Sequence, residues 1–192
     1  MELVFATANQ NKVNEVQKLV GQKFKLLSLK DINCTEEIPE TGDTFKGNAL
    51  QKAKYIFDKF KLNCFADDSG LEVEVLNGAP GVYSARFAGE PKNDSNNTKK
   101  LLNELGGKSN RNARFKTVIA LIVDGREEFF EGSINGQITL NSIGEEGFGY
   151  DPVFIPDGYQ KTFAQMSPDE KNAISHRAIA ILKLMKYLSD KA

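Results

Sequence analysis

The sequence predicts an α/β fold: a mixed sheet flanked by helices, shared as one continuous sheet by two lobes with a cleft. Three observations carry this. Glu2–Ala8 has the pattern of a buried strand and passes through a polar turn into a helical pattern. Farther on, Arg114–Val123 and Arg126–Gly132 flank Asp124-Gly125, the signature of an antiparallel hairpin. Between these units there is no repeat, low-complexity stretch or linker, so residues 1–192 read as one domain.

Each element has a local cause. After the first strand, Val13, Val16, Leu19 and Val20 recur at helical spacing over Asn11–Val20, and Gly21 stops that helix. Phe24–Leu29 reads as a second strand and Lys30–Gly42 as a polar connection. Thr44 can cap a helix running to about Phe60, with an apolar stripe at Phe45, Ala49, Ala53, Ile56 and Phe60. Phe65–Asp68 is a short strand ending in acids, and Leu71–Val75 alternates strictly, which puts Glu72 and Glu74 on a solvated face. Asn77-Gly78-Ala79-Pro80-Gly81 is turn chemistry, and Asn93–Leu105 is a helix ended by Gly106-Gly107. Ile134–Leu140 extends the antiparallel group, with Asn135-Gly136 as another turn. Ser167-Pro168-Asp169-Glu170 combines an N-cap, a proline at the first helical position and a glutamate three residues on. Ser175 offers a second cap before Ile179, Leu182, Met185 and Leu188, so two helical pieces meet near residues 173–175.

Composition narrows the function classes. A hydrophobic content of 40% with 13 Phe is enough for a core without staples. The formal net charge of −1 argues against broad electrostatic binding of nucleic acid, so an anionic partner must be met locally. Cys34 and Cys64 lie far apart without metal-ligand spacing and read as reduced, packed thiols. No targeting leader and no run of ~18 apolar residues is visible, so no membrane association and a cytoplasmic location are expected.

Four clusters carry chemistry. The turn Thr7-Ala8-Asn9-Gln10-Asn11-Lys12 leads into a helix whose dipole and N–H groups favour phosphate, with Lys12 adding a full charge. It is not a GxxxxGK[ST] loop, and alone it equally suits an ordinary capped helix. Glu40 precedes Thr41-Gly42, and Asp67-Asp68 ends a strand. Such carboxylates, with phosphate oxygens, are how Mg2+ is usually held, although Asp68-Ser69-Gly70 also suits a tight turn. Adjacent strand residues face opposite ways, so only one of Asp67 and Asp68 enters a given site. Gly147-Phe148-Gly149-Tyr150-Asp151-Pro152 surrounds rings with freely turning backbone, which suits stacking on a base or simply an anchored loop. Lys171 with the single histidine, His176, and Arg177 completes the set. Donors of that kind suit a purine 6-keto oxygen and are mismatched with an adenine 6-amino group.

In this order, ATANQNK, ETGDTFKGNALQKA, FADDSGLEV, GAPGVYSARF, GFGYDPVF and ISHR closely resemble the inosine triphosphate pyrophosphatase family, also described as dITP/XTP or non-canonical purine nucleoside triphosphate pyrophosphatases. The resemblance spans nearly the whole chain and implies an elongated two-lobed fold with the nucleotide in the cleft, usually as a homodimer. It implies hydrolysis of ITP, dITP or XTP to monophosphate and pyrophosphate. On this chain Thr7 to Lys12, with Lys52, would hold the triphosphate. Glu40 and Asp68 would bind Mg2+, with Asp68 also the base for the attacking water. Ser69 would contact substrate, Phe148, Gly149, Tyr150 and Asp151 would enclose base and sugar, Lys171 would bind at the nucleotide, and His176 with Arg177 would read the base. Ala8 departs from the glycine of many relatives. The alternatives are a Maf-type nucleotide pyrophosphatase with another base preference, against which SHR argues, and a nucleotide-binding module without turnover, against which Glu40, Asp68 and Lys12 argue.

Overall fold

The computed structural model describes residues 2–20 and 24–191; the helix stop expected at Gly21 lies outside the described residues. The strands are β1 Glu2–Phe5, β2 Lys25–Leu27, β3 Cys64–Val73, β4 Asn112–Val123, β5 Arg126–Ile138 and β6 Phe154–Pro156. The helices are α1 Gln10–Val20, α2 Phe45–Phe60, α3 Asp94–Glu104, α4 Pro168–Ile174 and α5 His176–Lys191. Sheet order is β2-β1-β3-β4-β5-β6, with β1 parallel to β2 and β3, and β5 antiparallel to β6. The mixed α/β class read from the sequence is therefore what the chain adopts.

The chain forms two compact units. The first comprises residues 1–68, 117–132 and 177–192, the second 69–116 and 133–176. Two of the chain crossings fall inside the chemical motifs, between Asp68 and Ser69 and between His176 and Arg177.

In the first unit, strand alternation builds two cores. Leu3, Phe5 and Phe65 pack with Val16 and Val20 of α1 and with Ile181, Leu184 and Leu188 of α5. Val4, Ala6, Cys64 and Ala66 pack with Ala49, Ala53 and Ile56 of α2. Each large aliphatic buried this way contributes roughly 1.5–3 kcal/mol. α2 begins where expected, since the Thr44 hydroxyl accepts from the Gly47 N–H at 3.0 Å. The Cys64 thiol donates to the Ala53 carbonyl at 3.2 Å, and burial pushes its pKa up to about 12. The α5 stripe departs from expectation. Ile181 and Leu184 are buried while Leu182 is 58% exposed, because the side buried against the sheet is set by Arg177, Ile181, Leu184 and Leu188 at spacings of three and four.

In the second unit, Leu71, Val73, Leu101, Leu105, Phe115, Phe154 and Phe163 form the core, with Phe115 edge-on to Phe154 at 4.7 Å. α4 carries the expected capping box: the Ser167 Oγ accepts from the Glu170 N–H at 3.2 Å, and Glu170 Oε2 accepts from the Ser167 N–H at 2.7 Å. Ser175 is extended, and α5 starts at the next residue. Several strand expectations change, and the strand expected to reach Val75 ends at Val73, where Glu74–Leu76 turns into a 3-10 helix. β3 runs unbroken from Cys64 to Val73, so Asp68-Ser69-Gly70 is strand and not a turn. Asn135-Gly136 likewise lies within β5. Gly136 faces Pro156 across the ladder, and a Cβ there would lie 2.2 Å from the Ile155 carbonyl oxygen, so this glycine serves close strand approach instead of chain reversal. Among the described residues no helix is long and apolar enough to cross a membrane.

Gly136→Ala should therefore destabilise the protein by about 3 kcal/mol, the upper part of the range for overpacking, because a backbone carbonyl cannot rotate away. Urea unfolding of the variant and parent measures it; equal stability would mean that β5 and β6 do not approach this closely.

Candidate functional site

In the first unit the turn before α1 is organised by its own side chains. Thr7 Oγ1 accepts from the Asn9 N–H at 3.2 Å, and Asn9 Oδ1 accepts from the N–H groups of Asn11 and Lys12 at 3.0 and 3.2 Å. Asn9 is thus the N-cap, so the Asn11 and Lys12 N–H groups turn inward to its side chain and do not project outward as expected from the sequence. Ala8, Asn9, Gln10 and Asn11 are exposed, and Gln10 bonds to Asn14 at 2.9 Å. The Lys12 ammonium reaches back to both carboxylate oxygens of Asp67 at 3.0 Å.

Alternation along β3 separates the two acids. Asp67 follows Phe65 onto the face of α1 and α5, where Lys12 and the Arg177 Nε, at 3.3 Å, meet it. Asp68 follows Cys64 and Ala66 onto the face of α2, where the Asn48 amide donates to its Oδ2 at 2.9 Å. The Asn48 oxygen in turn accepts from the Gly42 N–H at 2.7 Å, and Gln51 Oε1 accepts from the Thr41 N–H at 3.0 Å. The segment carrying Glu40 is thereby tied to α2, and Lys52 of α2 is ion-paired with Glu40. Asn48 and Glu15, the latter paired with Arg177, are residues that sequence reading missed. A signal for Asn48 exists: the buried face of α2 is 45, 48, 49, 52, 53 and 56, and the chain places Asn and Lys at two of those positions.

In the second unit Ser69 continues β3, half-buried. The segment 147–151 folds around the Asp151 carboxylate, whose Oδ2 accepts from the Phe148 N–H at 2.8 Å and from Lys171 Nζ at 2.6 Å. Gly147 has φ +78, and a Cβ on it would lie 2.1 Å from that same oxygen, so only glycine fits. The Lys171 ammonium stands 4.8 Å from the Phe148 ring centroid. Phe148 is half-buried, whereas Tyr150 is buried with its hydroxyl donating to the Ser84 carbonyl at 2.8 Å. The Tyr150 ring is therefore an anchor of the segment, not one of its open faces. His176 is buried and stacked on Phe115, centroids 4.7 Å apart and planes within 9°.

The model of the Ham1 family matches residues 3–187. The chain belongs to the Ham1 family. A dITP/XTP pyrophosphatase of Flavobacterium psychrophilum is 54% identical over 99% of this chain and 100% of its own length. One of Christiangramia forsetii is 54% identical over 98% and 100%. The solved structure of the Staphylococcus aureus Ham1 protein superposes with a TM-score of 0.91 at 40% identity, covering all of both chains.

The electrostatics of this Ham1 chain follow from burial. Desolvation works against the Asp67 carboxylate, but the charges of Lys12, Arg177 and Lys52 outweigh it and hold its pKa well below the ordinary range. Burial lowers the Lys12 pKa, with Lys52 and Arg177 adding to the effect and Asp67 and Asp68 opposing it. Asp68 moves the other way: burial, helped by Glu40, raises its pKa against the pull of Lys52, Lys12 and Asn48. Arg177 is buried between Asp67 and Glu15; desolvation works to lower its pKa, but the charges and hydrogen bonds of the two carboxylates outweigh it and raise the pKa.

Asp67→Asn should cost roughly 3–5 kcal/mol at neutral pH, because it leaves Lys12 and Arg177 buried without their shared counter-charge. Since the folded pKa of Asp67 is depressed, its stabilisation is present above the unfolded value, about 4, and is lost as pH falls through the folded one. Urea unfolding at several pH values should give a flatter acid limb for the variant; parallel curves would remove Asp67 from the acid dependence.

Proposed function

We propose that this chain hydrolyses ITP, dITP and XTP to the nucleoside monophosphate and pyrophosphate, removing non-canonical purines from the nucleotide pool. The observation that carries this is the cluster of Lys12 and Lys52 with Glu40 and Asp68, built on strand and helix in a member of a family whose relatives, matched over their whole length, are named dITP/XTP pyrophosphatases. Cations stand beside two hard carboxylates, the chemistry needed for a triphosphate with its metal.

The donor set fits Mg2+. Glu40 and Asp68 are close enough that Glu40 raises the Asp68 pKa, a like-charge penalty that a divalent ion relieves. Bound there, Mg2+ would neutralise charge on the phosphate oxygens.

The chain's residues supply the rest. Lys12 and Lys52 hold the phosphate oxygens, with Thr7 to Asn11 as neutral contacts. Asp68, held by Asn48, accepts a proton from a water as its oxygen attacks the α-phosphorus. The bond from that phosphorus to the bridging oxygen breaks, and pyrophosphate leaves with the electron pair. Phe148 offers a half-buried ring for stacking beside Lys171, and His176, fixed on Phe115, donates with Arg177 to the 6-keto oxygen. Adenine presents a donor at that position, which is mismatched with these donors. Cytoplasmic action and a homodimer belong to the same reading.

A panel of nucleoside triphosphates with Mg2+, resolved by chromatography, should give monophosphate and pyrophosphate in equal amounts from ITP and XTP and far less from ATP. Binding without products would favour a module without turnover, preference for another base would favour a Maf-type activity, and inosine diphosphate with orthophosphate would refute the cleavage site. Asp68→Asn should keep the fold and lose roughly 100-fold or more in kcat, the scale of general-base catalysis. Parent-like turnover would make Asp68 structural only.

A further inference from the structure

The Gly149 peptide, which follows the half-buried Phe148, is gripped at both ends by α3. Its N–H donates to Asp94 Oδ2 at 2.7 Å, and its carbonyl accepts from the Thr98 hydroxyl at 3.3 Å. Asp94 and Thr98 are four residues apart, hence neighbours on one face of the helix. α3 is a supported platform: Asn93 caps it through the Asn96 N–H at 2.9 Å, and buried Asn97 bonds the Ala85 carbonyl and the Ala88 N–H at 3.0 and 2.7 Å. Gly149 has φ +62 with nothing within 4 Å of a would-be Cβ, so the clasp, not crowding, selects its conformation.

We propose that Asp94 and Thr98 are positioning residues for recognition of the purine. On one side of Phe148 its own N–H is held by Asp151; on the other the next peptide is held by α3. A ring whose backbone is fixed on both sides has little freedom left beyond its rotamers, so it meets a base with a smaller ordering penalty. The inference rests on the proposed function, in which Phe148 stacks on the base. Asp94 is exposed and its carboxylate holds the peptide N–H that follows Phe148, so its effect should fall on the base.

The test uses Asp94→Ala, Asp94→Asn, which keeps an acceptor oxygen, and Thr98→Val, which keeps the shape. Measured are KM and kcat for ITP, the affinity for inosine monophosphate, inhibition by inorganic tripolyphosphate, and amide exchange at residues 148–150. Asp94→Ala should raise KM and weaken inosine monophosphate about tenfold, the loss of one charge-assisted hydrogen bond. Inhibition by tripolyphosphate and kcat should stay near the parent, amide exchange should accelerate, Asp94→Asn should restore most of the loss, and Thr98→Val should show the same pattern more weakly. Parent-like KM and affinity in both Asp94→Ala and Thr98→Val would overturn the assignment while leaving the function intact. So would an equal loss for tripolyphosphate, which marks general damage. A parent that turns over no ITP would instead sink the functional reading, and this inference with it.

Discussion

Everything in the first unit turns on the alternation of side chains along β3, which sends two consecutive carboxylates to opposite faces of one strand. Asp67 is sealed among α1 and α5 and stays ionised because Lys12 and Arg177 surround it. Asp68 faces α2, where Asn48 holds it and burial with Glu40 raises its proton affinity. One strand thus carries an acid whose proton affinity is lowered beside one whose proton affinity is raised, and the two could not exchange surroundings without turning the strand over.

The buried charges are not explained by stability. An apolar set of similar volume at Lys12, Asp67 and Arg177 would avoid the desolvation of three ionic groups, and such replacements are often neutral or stabilising. Next to the Phe5 and Phe65 core these charges tie the start of α1 to the start of α5 through one carboxylate of β3. The second unit solves a related problem without a strand. Its 147–151 segment wraps the Asp151 carboxylate so tightly that Gly147 admits no side chain, while α3 grips the outside. Strand register places groups in the first unit; a network of hydrogen bonds places them in the second.

Much of this was legible from residues alone, and the parts that were not share a cause. The Thr44 cap, the Ser167 capping box and the Asp124-Gly125 reversal, with φ of +50 and +79, depend on contacts within a few residues, which local sequence states directly. Asp68-Ser69-Gly70 and Asn135-Gly136 mislead because turn-forming residues also occur inside strands; at Gly136 the reason is the close approach of Ile155, which is not nearby in the chain. β6, with three residues, is too short to announce itself by period.

For the site, the residue types, their order and their match to a known family were sequence properties, since phosphate, metal and purine chemistry each demand particular side chains. Which acid meets which cation was decided only in three dimensions. Arg177 finds Asp67 across 110 positions of chain and Lys12 finds it across 55, pairings that strand alternation and helix placement select and that no local pattern encodes. Local order follows from forces that act over one turn or one hairpin; partnership between distant charges follows from burial, which exists only once the chain has packed.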